Sequence, residues 1–168
     1  VHLVLTLPTI GGARPDPLAP LDPLAAAVLA RLAAEGHALG AVTRRPPRCG
    51  VPDTDLGSGR VARVRWWAVD PGDERARQLL ADAFAGADAV LHLAGEGLAQ
   101  VTDAAQVAGV PRLVAPDPAD LAGDTATVAA RLADALVATP APVGVPAQRG
   151  SAAVDRPAPA AATAPAHM

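Results

Sequence analysis

"HLVLTLPTIGGARP", residues 2–15, opens the chain with an apolar run that breaks at a proline and a pair of glycines. Leu3, Val4 and Leu5 read as a short buried strand over residues 2–7, with Pro8 and Gly11-Gly12 ending it. A strand, a glycine loop and a helix in close succession make a phosphate cradle. The glycines let backbone amides approach the anion, and the helix presents its N-terminus to it. Here the helix pattern starts only at Asp22 and Pro23, at the end of "ARPDPLAPLDP", whose four prolines read as a surface loop. The stretch is therefore a working nucleotide loop, a worn-down one or an ordinary strand end.

Outward from this strand the pattern is regular. Asp22 caps a helix with Pro23 at its first position, Leu24, Val28 and Leu32 on one stripe with Ala25 and Leu29 beside them, and Gly36 at its end. "HALGAVTRR" (37–45) is a second strand, and "PPRCGVPDTDLGSG" (46–59) reads as a loop throughout. "VARVRWWAV" (61–69) is a third strand, followed by a helix from Asp73 through Leu79, Leu80 and Phe84 to Gly86. "DAVLHLAG" (88–95) is a fourth strand, and Leu98, Val101 and Ala105 mark a helix ending at Gly109. "PRLVAP" (111–116) is a fifth. Asp124 or Thr125 caps a helix with Val128, Leu132 and Leu136 on one face, and "APVGVPA" (141–147) is a proline-weakened sixth strand.

Strands alternating with single helices predict a doubly wound parallel α/β sheet in one domain, residues 1–147. The expected order is 61–69, 38–43, 2–7, 88–94, 111–116, with residues 2–7 central. Residues 148–168 are Ala/Pro-rich and are expected to be a disordered tail. Ligands of such folds bind beyond the carboxyl ends of the strands, which directs attention to "TLPTIGG".

The 168 residues suffice for one core. With only Trp66, Trp67 and Phe84 as aromatics, that core must rest on Val, Leu and Ala. A net charge of −3 gives no reason to expect a nucleic-acid partner. There is no membrane-length apolar run and no signal-peptide pattern at the start, so a cytoplasmic location is expected. Cys49 is the single cysteine, which excludes an intramolecular disulfide; His2, His37 and His167 are scattered and suggest no metal site. The chain contains neither tyrosine nor lysine, which removes phenol, ammonium and Schiff-base chemistry.

The run "GADAVLHLAGEGLAQVTDAAQVAGVPRLV" (86–114) resembles the NAD-dependent epimerase/dehydratase family, the extended short-chain dehydrogenases, as a truncated or degenerate member. In that family a helix ending "AGAD" leads into a strand ending "HLAG", and "AGVPRLV" follows the next helix. "LARLAAEGHALGAVTRRP" looks like its first helix and second strand, and "WWAVDPGD" stands where it carries a strand ending in "GDL". "VAARLADALVATPAPVGVPAQRG" looks like a later helix and the strand before "LRPG". The resemblance implies a Rossmann-like, NAD(P)-binding fold.

It also implies site residues. Of the family's T-G-x-x-G-x-x-G loop, Thr6 and Thr9 fit, while Leu7 and Ile10 replace glycines; pyrophosphate binding then requires Gly11 and Gly12 to form a substitute nest of backbone amides, the alternative being a relic loop. Arg44 and Arg45 follow the second strand where the family selects its cofactor, and a basic residue there favours the 2′-phosphate of NADP over the ribose hydroxyl of NAD. The alternative is a solvated Arg pair. Asp70 matches the aspartate facing the adenine, or else starts a turn before Pro71. Ala94 and Gly95 match the strand end that passes the second ribose.

The family's catalysis uses a Tyr-x-x-x-Lys pair and a Ser or Thr after the fifth strand. "LVAPDPADLAGD" (113–124) runs almost directly into a helix with neither, so the family's usual reaction is not expected of this chain alone. His92 and Glu96 are candidate replacements, with a buried strand histidine as the alternative. Cys49 beside Arg48 is a candidate reactive thiol, with an unremarkable exposed thiol as the alternative. Three functions are open: a truncated or degenerate relative that binds a dinucleotide weakly or not at all and whose activity needs a partner chain, a non-enzymatic module that senses a nucleotide or docks to a protein, and a ligand-free remnant.

Overall fold

Alternation along β1 (His2–Thr6) sends Leu3 and Leu5 to one face of the sheet and Val4 to the other, and all three are fully buried. Burial on both faces makes this strand central. It pairs in parallel with β2 (Ala38–Thr43), Leu3 opposite Leu39, and with β5 (Ala89–His92), Thr6 opposite His92. The computed structural model describes residues 1–8, 21–46, 53–55 and 61–138.

The sheet order is β3-β4-β2-β1-β5-β6, with β3 Asp53–Asp55, β4 Val61–Ala68 and β6 Leu113–Val114. Strands β4, β2, β1, β5 and β6 are parallel and stand in the expected order. This is a Rossmann-like doubly wound sheet. One element corrects the sequence reading: β3 lies in the stretch read as loop throughout, and it pairs antiparallel with β4, Asp53 opposite Arg63. A three-residue edge strand needs only the open backbone groups of its neighbour, and here the breakers Pro52 and Gly57 flank the strand rather than interrupt it. The expected strand at 142–147, the tail from 148, most of the proline-rich segment, and Thr9, Ile10, Gly11, Gly12, Cys49 and His167 lie outside the described residues.

The helices form where their caps predict. The Asp22 carboxylate accepts the backbone N–H of Leu24 and Ala25 at 3.0 and 3.1 Å, starting α1 (Pro23–Ala34), and Gly36 follows its end at φ +80°. The Asp73 side chain accepts from Arg75 N–H and starts a 3₁₀ turn, Glu74–Ala76, that continues into α2 (Arg77–Phe84). Gly97 precedes α3 (Leu98–Val107), and Asp124 caps α4 (Thr125–Val137) by accepting from Thr127 N–H at 2.9 Å. Helices α1 and α4 cover the Leu3/Leu5 face, with Val28, Leu32, Val128, Leu132 and Leu136 in its core. Helices α2 and α3 cover the Val4 face, around Leu80, Phe84 and Val101. Leu79, which helps to mark this helix in the sequence, is 56% exposed, because α2 buries Leu80, Ala81, Ala83 and Phe84 and Leu79 falls outside that arc.

Gly40 on β2 answers a packing demand from the next strand. A Cβ there would lie 2.6 Å from Cζ3 of the Trp67 ring and 3.2 Å from Val4 Cγ2. The Trp67 ring is only half-buried and can give way. Gly40→Ala is therefore expected to cost about 1 kcal/mol, the low end for overpacking, read as a lower urea midpoint at unchanged slope.

Candidate functional site

Helix α1, which follows β1, lies on one face of the sheet, and α3, which follows β5, lies on the other. The chain therefore diverges after these neighbouring strands, and a crevice opens at their carboxyl ends. Pro8, Asp70, Pro71, Ala94, Gly95 and Glu96 line this crevice, whose volume is about 270 Å³. Three of the expected site residues, Asp70, Ala94 and Gly95, thus meet in one place. Pro8, Pro71 and Glu96 join them without having been singled out for binding.

Close backbone packing holds the crevice floor. Gly97 sits at φ +84°, and a Cβ there would overlap the carbonyl of Pro71 and come within 2.9 Å of Gly72 N. The loop after β4 is thereby seated on the loop after β5. Inside the first loop, Asp70 Oδ1 accepts Gly72 N–H at 3.0 Å and the Asp70 carbonyl accepts Asp73 N–H at 3.1 Å. Gly95 is exposed, and a Cβ there would meet nothing within 4 Å, so this position leaves the crevice open without any demand from the fold.

Arg44, the first residue after β2, reaches the same loop. Its Nε donates to Asp70 Oδ2 at 2.7 Å, and its Nη2 pairs with the same oxygen. The sequence reading gave Arg44 and Asp70 separate partners on a nucleotide; the fold binds them to each other. Arg45 is exposed beside them.

Thr6 and Leu7 end β1 by turning inward. Thr6 is fully buried, and its Oγ1 shares a 2.6 Å hydrogen bond with Nδ1 of buried His92, while its carbonyl accepts from Leu93 N–H and Ala94 N–H. Thr6 therefore fixes the strand end that carries Ala94 and offers its hydroxyl to His92. Burial holds the His92 imidazole below its ordinary pKa, in the neutral form. Leu7, at a position where the resembled family has glycine, is 3% exposed and packs into the α1/α4 core, continuing the stripe of Leu3 and Leu5. Its N–H still donates to Val42 O. Glu96 lines the crevice, while His92 is engaged with Thr6.

The remaining histidines are dispersed. His2 Nδ1 lies 3.2 Å from Gly86 O, and His37 Nε2 lies 3.3 Å from the Glu35 carboxylate. Among the described residues no group of His, Cys, Asp and Glu is placed to hold a metal ion, and no helix is long and apolar enough to cross a membrane.

Neither a family model nor a curated protein sequence matches the chain. Among solved structures it is similar to a UDP-glucose 4-epimerase from Stenotrophomonas maltophila, determined with bound NAD and formylated UDP-arabinopyranose. The two share 22% identity at a TM-score of 0.46, over 68% of this chain and 36% of that one. This chain spans little more than a third of the length of that protein.

Proposed function

We propose that the crevice is an adenine-dinucleotide site of the kind used by the epimerase/dehydratase family, retained for binding rather than for turnover by this chain alone. One observation carries this reading: Asp70, Ala94 and Gly95, assigned from the sequence to adenine and ribose, line one crevice at the divergence of β1 and β5. Leu7 supports a weak hold on the pyrophosphate, since a glycine-loop position serves as core packing. The absence of tyrosine and lysine supports the non-catalytic half of the reading. On this reading the adenosine half of the ligand contributes more affinity than the pyrophosphate, NADP(H) is preferred to NAD(H) through Arg44, and any redox or epimerase chemistry draws its acid and base from a partner chain.

Titration with NADPH and NADH, followed by nicotinamide fluorescence, tests the reading. Saturable binding of both is expected, tighter for NADPH. Arg44→Ala should weaken NADPH by about tenfold, the lower end for a charge-assisted phosphate contact, because Asp70 already shares the guanidinium. NADH should change little. Gly95→Leu should weaken both nucleotides while leaving stability within about 0.5 kcal/mol, as expected of an exposed position with open space around it. Absence of binding by either nucleotide at millimolar concentration would leave the chain a ligand-free remnant of the fold.

A further inference from the structure

The guanidinium that would meet an adenosine 2′-phosphate already holds an anion. Arg44 lies at the end of β2 and Asp70 just after β4, and the two strands are parallel neighbours. Their side chains meet through Nε and Nη2 on a single carboxylate oxygen, Oδ2. The other oxygen, Oδ1, accepts Gly72 N–H, and the loop beneath is locked by the contact of Gly97 with Pro71. Asp70 is therefore a fixed acceptor, while Arg44, with 47% of its side chain exposed, is the partner able to move. A second carboxylate stands close by: a Cβ on Gly72 would lie 3.6 Å from Glu96 Cδ and 3.5 Å from Asp70 Oδ1. Two carboxylates of the crevice lining thus stand close together, and the Arg44 guanidinium, outside that lining, is paired with one of them.

We propose that Asp70 is a specificity-determining residue whose carboxylate occupies Arg44 as a resident substitute for the 2′-phosphate, and so holds down the preference for 2′-phosphorylated nucleotides. The inference rests on the nucleotide reading of the crevice. A ribose 2′-hydroxyl carries no charge and leaves the ion pair in place. A 2′-phosphate must draw Arg44 towards itself, compete with Oδ2, and stand near two carboxylates of its own sign. Like charges juxtaposed without compensation oppose binding strongly enough to set selectivity. Preference for NADP over NAD at this site is then a difference between attraction to Arg44 and repulsion by Asp70 and Glu96.

Asp70→Asn tests this, because the amide oxygen can still accept from Gly72 N–H while the negative charge is gone. The probes are NADPH, NADH, 2′,5′-ADP and 5′-AMP, titrated by calorimetry against the wild-type chain, Asp70→Asn, and Asp70→Asn combined with Arg44→Ala. Asp70→Asn should raise the preference for NADPH over NADH, and for 2′,5′-ADP over 5′-AMP, by about tenfold. The gain should vanish when Arg44 is also replaced. Asp70→Ser, whose hydroxyl can also accept from Gly72 N–H, should give the same selectivity change if the amide disturbs the loop. Binding of all four ligands with no selective gain in either single variant would overturn the role of Asp70 and leave the nucleotide reading standing. Absence of binding by every ligand to every variant would overturn both.

Discussion

A Gly97→Ala variant is expected to lose about 2–5 kcal/mol of stability and its nucleotide binding with it. The left-handed backbone at φ +84° costs a residue with a Cβ roughly 1–2 kcal/mol. The added methyl also overlaps the Pro71 carbonyl, a backbone group with no rotamer to escape into, and overpacking of that kind adds about 1–3 kcal/mol. Relief requires the 70–73 loop to lift away from the start of α3, and this moves Asp70 and Pro71 out of the crevice. Chemical denaturation reads the first effect and NADPH titration the second. Gly95→Leu is the companion measurement, since it should impair binding without the loss of stability. A Gly97→Ala variant with wild-type stability would mean that the two loops are not held in contact.

Acid should destabilise the chain through His92. Its imidazole is buried against the Thr6 hydroxyl, and burial keeps its pKa below the ordinary value. The unfolded chain takes up a proton near the ordinary histidine pKa of about 6.5 while the folded chain resists it. The unfolded state therefore binds more protons in that window, and stability rises with pH. The contribution is complete above about pH 6.5, declines as pH falls through that value, and levels off once the folded imidazole also protonates. Thermal unfolding at pH 8 and pH 5.5 should show the decline. His92→Ala should lower stability at pH 8 by about 2–4 kcal/mol, from the cavity and the orphaned Thr6 hydroxyl, and should flatten the dependence between these pH values. An unchanged slope in that variant would assign the acid sensitivity to other groups.

The parts of this molecule that were legible in the sequence are those encoded locally. Asp22, Asp73 and Asp124 each sit directly before the turn they cap, and Gly36, Gly86 and Gly109 end helices at positive φ. Period-two and period-3.6 apolar patterns then gave the sheet order, because parallel neighbours joined by helices admit few arrangements. Features made by contacts between distant segments were not legible. The Arg44–Asp70 pair joins residues 26 apart, and Thr6–His92 joins residues 86 apart. Leu7 looked like damage to a loop, and the fold uses it as core. Nothing in "GEG" distinguishes Gly97, which the packing requires, from Gly95, which it does not; only the approach of Pro71 separates them. Strand β3 was hidden for another reason, since an edge strand of three residues carries no periodicity to read.

The central claim is that a dinucleotide occupies the crevice at the carboxyl ends of β1, β4 and β5. Titration of the ¹⁵N-labelled chain with NADPH, followed by amide chemical shifts, tests it most directly. The account predicts saturable shifts concentrated at Arg44, at Asp70 and Gly72, and at Ala94 through Gly97, with the amides around Arg112 and Val137 at the opposite end of the sheet unmoved. Shifts confined to that opposite end, or none at millimolar NADPH, would contradict it.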